Sequence, residues 1–224
     1  MATSRTVLGP PRSKITLVHP PSTRRAVRHL KRVDPVLALM IQQVGSCQLR
    51  PRSDGSPFDY MVRAIIYQQL SGKAAATIYG RLMALYGGRS PRPGELVATS
   101  SARLRRAGLS RQKLGYLKDL ARRALSGAVP FDALETLPDE VVIEALTTVR
   151  GVGVWTAQMF LMFGLGRLDV LPLLDLGIQK GMRHIYGLRR LPTPAQMERI
   201  AAVWRPYRSV ACWYLWRSLE VAPP

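Results

Sequence analysis

Residues 149–160 read VRGVGVWTAQMF. Gly151 and Gly153 fall between one apolar-periodic run that ends near Thr147 and another that opens at Val154, so the stretch reads as a tight turn joining two helices. Glycine takes positive φ and tolerates close backbone approaches that other residues do not. The backbone N–H groups that open the second helix have no partners inside it and point outward, which makes a place for an anion such as a phosphate. On spacing alone two readings stand, a phosphate grip or a turn that only packs two helices. Trp155, two residues beyond the second glycine, likewise reads as core packing or as an aromatic face for a ligand.

Outward from this turn the text is helical. In PFDYMVRAIIYQQLSGKAAATIYGRLMALYGG, Phe58, Met61, Val62, Ile65 and Ile66 keep the spacing of one helical face. Ser71 and Gly72 interrupt it, and a second amphipathic helix runs to the glycine stop at Gly87 and Gly88. Ser110 is an N-cap candidate for RQKLGYLKDLARRALSG, whose Leu114, Leu117, Ala121 and Leu125 form one stripe. LPDEVVIEALTTV carries Pro138, Asp139 and Glu140 at the positive end of the helix dipole. Thr193 and Pro194 open TPAQMERIAAVW, and RPYRSVACWYLWRSLE closes the chain. Before all of these, Leu30, Val33, Leu37 and Ile41 keep helical spacing around Asp34 and Pro35. The fold class is all-α, with KITLV (residues 14–18) as the one possible strand, inside a basic arm over 1–24 whose prolines and arginines resist packing.

The chain has 224 residues, with 33 Lys and Arg against 14 Asp and Glu, a formal charge of +19. Such a surface attracts a polyanion, and nucleic acid is the usual one. A ribosomal-type protein, a membrane-surface protein and a high-charge solubility habit are the other readings of charge alone. A hydrophobic content of 47% excludes a disordered basic tail. Cys47 and Cys212 are too few and too far apart for a disulfide scaffold or a four-cysteine metal site. His19, His29 and His184 have no metal spacing. No window is apolar enough to span a bilayer, and the expectation is a cytoplasmic protein of bacterial type, working at the nucleoid.

VRGVGVWTAQMFLMFGLGRLDVLPLLDLG (residues 149–177) resembles the helix–hairpin–helix, Gly/Pro-rich loop and aspartate of the HhH-GPD DNA glycosylase superfamily, and most the AlkA-type 3-methyladenine DNA glycosylase II branch. AIIYQQLSGKAAATIYGRL, AGLSRQKLGYLKDLA and RPYRSVACWYLW also resemble that branch, so the likeness runs from about Asp34 to Trp216. It implies a two-lobed fold without the N-terminal mixed α/β domain of longer relatives: residues 25–54 and 151–224 in one lobe, 55–150 in the other, and the hairpin at about 139–164. It also implies a monofunctional hydrolase that removes 3-methyladenine-like bases from duplex DNA by base flipping and leaves an abasic site for base excision repair.

The resemblance places the catalytic carboxylate at Asp175, which on local pattern is an N-cap for the helix starting at Leu176; the two roles are compatible. Leu174 precedes it where relatives often carry another acid or a small residue, and Asp169 is the fallback. N-glycosidic hydrolysis builds oxocarbenium character that one carboxylate can stabilise while it orients water. A lysine stands at the Trp155 position in relatives that also cut the strand, and tryptophan cannot replace that nucleophile. Trp155, Trp216, Met159 and Tyr67 are the implied base pocket, suited to cationic alkylbases through aromatic faces. Gln69 matches the residue that fills the gap left by the flipped base, with Leu70 and Gln68 beside it. Phosphate contacts are expected from Gly151, Gly153, Val154, Arg150, Lys73, Lys180 and Arg183. No cofactor is required; a structural Na+ or K+ at the hairpin would use the carbonyls of Thr147, Val149 and Gly151. A monomer that binds duplex DNA with alkylated bases, and no membrane, is expected. Two other functions stay open at this point: a catalytically silent sensor of damaged DNA, and a glycosylase for oxidised or mismatched bases.

Overall fold

The structure is a computed structural model and describes residues 23–51 and 55–221. Most of the arm, with KITLV, lies outside the described residues, while Thr23 and Arg24 form the first turn of a helix. The helices, in chain order, are α1 Thr23–Val33, α2 Pro35–Val44, α3 Pro57–Tyr67, α4 Gly72–Ala84, α5 Pro93–Ala98, α6 Ser101–Arg106, α7 Arg111–Ser126, α8 Asp139–Thr147, α9 Val154–Met159, α10 Leu176–Ile185, α11 Pro194–Ala201 and α12 Arg208–Ser218. A π-helical turn, Phe160–Gly164, continues α9, and a 3-10 turn, Ala202–Trp204, continues α11. No strand occurs among the described residues, so the fold is all-α.

The boundaries follow from local chemistry. Asp34 accepts the Leu37 N–H and Pro35 opens α2. Ser56 and Asp59 form a reciprocal capping box around α3, also with proline first. Ser110 caps α7 at its start, and Gly127 closes it in the left-handed conformation. Thr193 and Gln196 repeat the capping box at α11. Each box satisfies N–H groups that the helix itself leaves orphaned. The α7 stripe holds at Leu117 and Ala121, which are buried, but Leu125 is 60% exposed. The last turn of α7 runs past the core before Gly127 ends it, so the expected stripe is one position too long.

Packing divides the helices. α12 lies against α10, α2 and α1, and the 3-10 turn joins α1 and α11 to this group. α3 packs on α4 and α7, α7 on α5 and α6, and α8 on α9, while the π turn meets α3. Asp34 ties the first group together: Oδ1 takes the Leu37 N–H at 2.9 Å, and Oδ2 takes the Tyr186 hydroxyl at 2.5 Å and the Trp204 indole at 2.7 Å. Burial beside this carboxylate pushes the Tyr186 hydroxyl well above the usual tyrosine range.

Candidate active site

The turn between α8 and α9 uses its glycines differently. Gly151 has φ +80°, and a Cβ there would lie 2.2 Å from the Tyr116 ring. It is therefore required twice, by conformation and by the close approach of α7. Gly153 has φ −97° and open space where its Cβ would be. Positive φ does not explain Gly153; its bare Cα leaves the outward N–H groups of α9 uncovered. The Arg150 N–H donates to Asp119 Oδ2 at 2.9 Å, anchoring the turn to α7. Burial would raise the Asp119 carboxyl, but that N–H and the Arg123 guanidinium outweigh it and hold it below the usual range.

The loop from the π turn to α10 is fastened to α12. Asp169 accepts from Arg208 Nε at 2.7 Å and from Arg205 Nη1 at 3.1 Å. Buried Ser209 takes the Val170 N–H at 2.9 Å and donates to the Arg167 carbonyl at 2.8 Å. Asp169 is thus a strut between this loop and α12.

Asp175 is 8% exposed and meets three N–H donors. Oδ1 accepts from Ile178 N at 2.8 Å and from Trp216 Nε1 at 2.9 Å, and Oδ2 accepts from Trp155 Nε1 at 2.8 Å. The N-cap role is therefore real, and two indoles join it. Oδ2 keeps a free lone pair, since a carboxylate oxygen accepts more than one hydrogen bond. The Trp216 indole approaches because residue 177 is glycine: a Cβ there would lie 2.8 Å from Trp216 Cδ1 and 3.0 Å from Asp175 Oδ1. Leu174, beside the carboxylate in sequence, is 69% exposed and turns away from it.

In front of this cluster opens a cleft of about 620 Å3 bounded by Tyr60 and Tyr67 of α3, Trp155 and Met159 of α9, Phe163 of the π turn, and Gln69. Neither Trp216, expected in the pocket, nor Asp175 is among its lining residues; Trp216 stands behind Phe163, on which it stacks with ring centroids 5.8 Å apart. Met159 also holds α3, its carbonyl accepting the Tyr60 hydroxyl at 3.1 Å. One face of Tyr67 carries the Arg63 guanidinium at 4.0 Å, a cation already in place on that ring.

Gln69 is the one described non-glycine residue with positive φ, at +54°. This left-handed conformation costs a non-glycine residue about 1–2 kcal/mol. Leu70 follows it, 38% exposed. Lys73, Arg150, Lys180 and Arg183 are all exposed, on α4, the turn and α10. The turn's carbonyls are partly used, Val149 O by the Val152 N–H and Gly151 O by Gln68 Nε2. Each keeps a second lone pair, and with Thr147 O the set offers neutral oxygens, which fits a hard monovalent cation. Among the described residues no group of three His, Cys, Asp or Glu side chains can hold a metal.

Sequence reasoning missed Phe163, Tyr116, Lys113 and Gly177. Burial lowers the Lys113 ammonium below the usual lysine range. Gly177 had a signal: Gly177 and Gly181 are spaced to face one neighbouring helix, and a Cβ on Gly181 would lie 2.5 Å from the Leu215 carbonyl of α12.

Comparison with known proteins adds to this geometry. The family model described as HhH-GPD superfamily base excision DNA repair protein matches residues 62–206. DNA-3-methyladenine glycosylase 1 of Schizosaccharomyces pombe is 33% identical over 204 residues, 90% of each chain. The solved structure of that yeast's 3-methyladenine DNA glycosylase in complex with abasic DNA aligns with a TM-score of 0.77, covering 89% of this chain and 98% of that one. A DNA-3-methyladenine glycosidase from Bacillus halodurans is 39% identical with a TM-score of 0.78, covering 86% of this chain and 88% of that one.

Proposed function

The chain belongs to the HhH-GPD superfamily of base excision DNA repair proteins, and from that premise we propose that it hydrolyses the N-glycosidic bond of alkylated, 3-methyladenine-like bases in duplex DNA without cutting the strand. Its relatives are DNA-3-methyladenine glycosylases, and it is an N-glycosylase of that type. The observation that carries the mechanism is the fixed carboxylate of Asp175, held by Trp155, Trp216 and the Ile178 N–H beside the aromatic cleft.

The chemistry follows from that placement. As the bond between base and sugar breaks, positive charge grows on the sugar, and a preorganised carboxylate stabilises it without having to reorient. The free lone pair on Oδ2 orients the attacking water and accepts its proton. An N3- or N7-alkylated purine is already cationic and leaves as a neutral base, so no second acid is needed. Gln69 fills the gap in the duplex after the base is flipped, and the aromatic side chains of the cleft receive that base. The turn at Gly151–Val154, with Arg150, Lys73, Lys180 and Arg183, grips phosphates. A Na+ or K+ on the carbonyls of Thr147, Val149 and Gly151 would add positive charge next to a phosphate. The α9 position that would need an amine for a Schiff base holds Trp155. Lys113, the lysine that lines the cleft, has its ammonium committed to two backbone carbonyls. We place its site of action at the DNA, in the cytoplasm at the nucleoid, and propose that it works as a monomer.

A duplex with one alkylated base tests the reading. Strand breaks that appear only after alkali are expected, from wild type and not from Asp175→Asn. Absence of product from wild type would leave a damaged-DNA-binding protein; breaks without alkali would overturn the monofunctional reading.

A further inference from the structure

The residue just before Gln69 is held from three sides. Gln68 N–H closes the last turn of α3 on Ala64 O at 3.2 Å. Its side-chain Nε2 donates across the cleft to Gly151 O in the hairpin turn at 3.0 Å. Its own carbonyl accepts from Lys113 Nζ at 2.7 Å, and the same ammonium takes Ile66 O at 2.5 Å. Ile66 O needs that donor, because the Leu70 N–H turns to Tyr67 O instead. A cation at the negative end of a helix, bonded to its orphaned carbonyls, is favourable. Without it, a short exposed turn would have little reason to keep a glutamine in the left-handed region at residue 69.

The same stretch of α7 also holds the hairpin. The Tyr116 ring fills the space beside Gly151 Cα, and Gln112 Nε2 donates to the Tyr116 hydroxyl at 2.6 Å. The tip of α3 and the hairpin turn are therefore set relative to each other by one rigid helix end.

We propose that Lys113 and Gln68 form a clasp that positions Gln69 for base extrusion. They are positioning residues: Lys113 locks the end of α3, Gln68 ties it to the phosphate-gripping turn, and the pair fixes how far the gap-filling side chain stands from the DNA backbone. The clasp rests on the reading of Gln69 as the residue that fills the gap. It acts on extrusion and leaves the bond-breaking step at Asp175 untouched.

The test uses the full chain and a duplex carrying one alkylated base with 2-aminopurine as its neighbour, whose fluorescence reports unstacking. Single-turnover excision is measured on this duplex and on the same lesion in single-stranded DNA, where no partner base is orphaned. Lys113→Met is expected to lower both the fluorescence change and the duplex excision rate by about ten- to a hundredfold, the usual effect of displacing a positioned group. Its single-strand rate should fall much less than its duplex rate, and Lys113→Arg, which restores a cationic donor, should recover most of the duplex rate. Gln68→Ala, which leaves α3 capped, should show the same pattern at smaller amplitude and keeps the test open if Lys113→Met unfolds. Wild-type fluorescence and duplex rates in Lys113→Met and Gln68→Ala would overturn the clasp, as would equal losses on both substrates. No base release by wild type from either substrate would instead refute the glycosylase reading.

Discussion

Asp175 takes its three hydrogen bonds from three parts of the chain: the first turn of α10, Trp155 of α9 and Trp216 of α12. Asparagine caps a helix about as well as aspartate, but its amide nitrogen would face the Trp155 N–H that Oδ2 accepts, so Asp175→Asn should fold with a stability lower by about 1–3 kcal/mol, and lose excision by at least about a hundredfold, the scale of removing a preorganised charge. A wild-type single-turnover rate in that variant would move the catalytic role elsewhere. Trp155→Phe separates two roles of one ring. It keeps an aromatic face and deletes the N–H on Oδ2. A charge-assisted hydrogen bond is worth about 1.5 kcal/mol or more, about tenfold in rate. The expected result is that loss in the chemical step with affinity for damaged duplex unchanged; if stacking were the ring's whole contribution, the rate would hold. Gln69→Gly tests the strained residue. Relief of the left-handed strain and the greater freedom of the unfolded chain oppose each other, which keeps stability within about 1 kcal/mol of wild type. Excision from duplex should nevertheless fall, read in the same single-turnover assay.

At the scale of elements, α10 is placed by two glycines with different duties. An added methyl on Gly181 meets the backbone of α12, which cannot yield, while one on Gly177 meets the movable Trp216 ring and the Asp175 carboxylate. Gly181→Ala should cost about 2 kcal/mol through overpacking, net of the better helix propensity of alanine. Gly177→Ala should cost less in a denaturant melt and more in excision rate, because it pushes Trp216 away from Asp175. If the two variants lost stability and activity in the same proportion, this division of roles would be wrong. The π turn after α9 is the other positioning device. Sequence periodicity reads VWTAQMFLMFGLG as one helix; the chain instead switches at Phe160, and the changed register lets Phe163 meet both the cleft and Trp216. Single π turns recur at functional sites, but no residue pattern in this stretch announces one. Caps were legible, by contrast, because Ser110, Thr193 and Asp175 act on N–H groups three residues away.

For the whole molecule, a formal charge of +19 makes binding depend on counterion release. Affinity for undamaged duplex should fall at least about a hundredfold between roughly 50 and 200 mM salt, as read by titration, while the single-turnover rate of the saturated complex changes little. Weak salt dependence would mean that the charge is spread away from the DNA face. The helix text, the caps, the glycine turn and the family resemblance of residues 149–177 were all local patterns, so the sequence by itself determined an all-α fold of the HhH-GPD type and, through that resemblance, pointed to Asp175 as the candidate carboxylate. What each aspartate bonds to was decided only in three dimensions. Asp34 and Asp175 both cap helices and both receive two aromatic donors; Asp34 is enclosed within one helix group, Asp169 is bound to two arginines, and Asp175 stands behind the cleft with an acceptor site to spare. Their side-chain partners lie far away in sequence, from 20 residues between Trp155 and Asp175 to 170 between Asp34 and Trp204. Hydrogen bonds and packing across such separations exist only once the helices have docked, which is why the clasp at Gln68 and Lys113, the stack of Phe163 on Trp216 and the fit of Tyr116 against Gly151 left no mark in the local pattern.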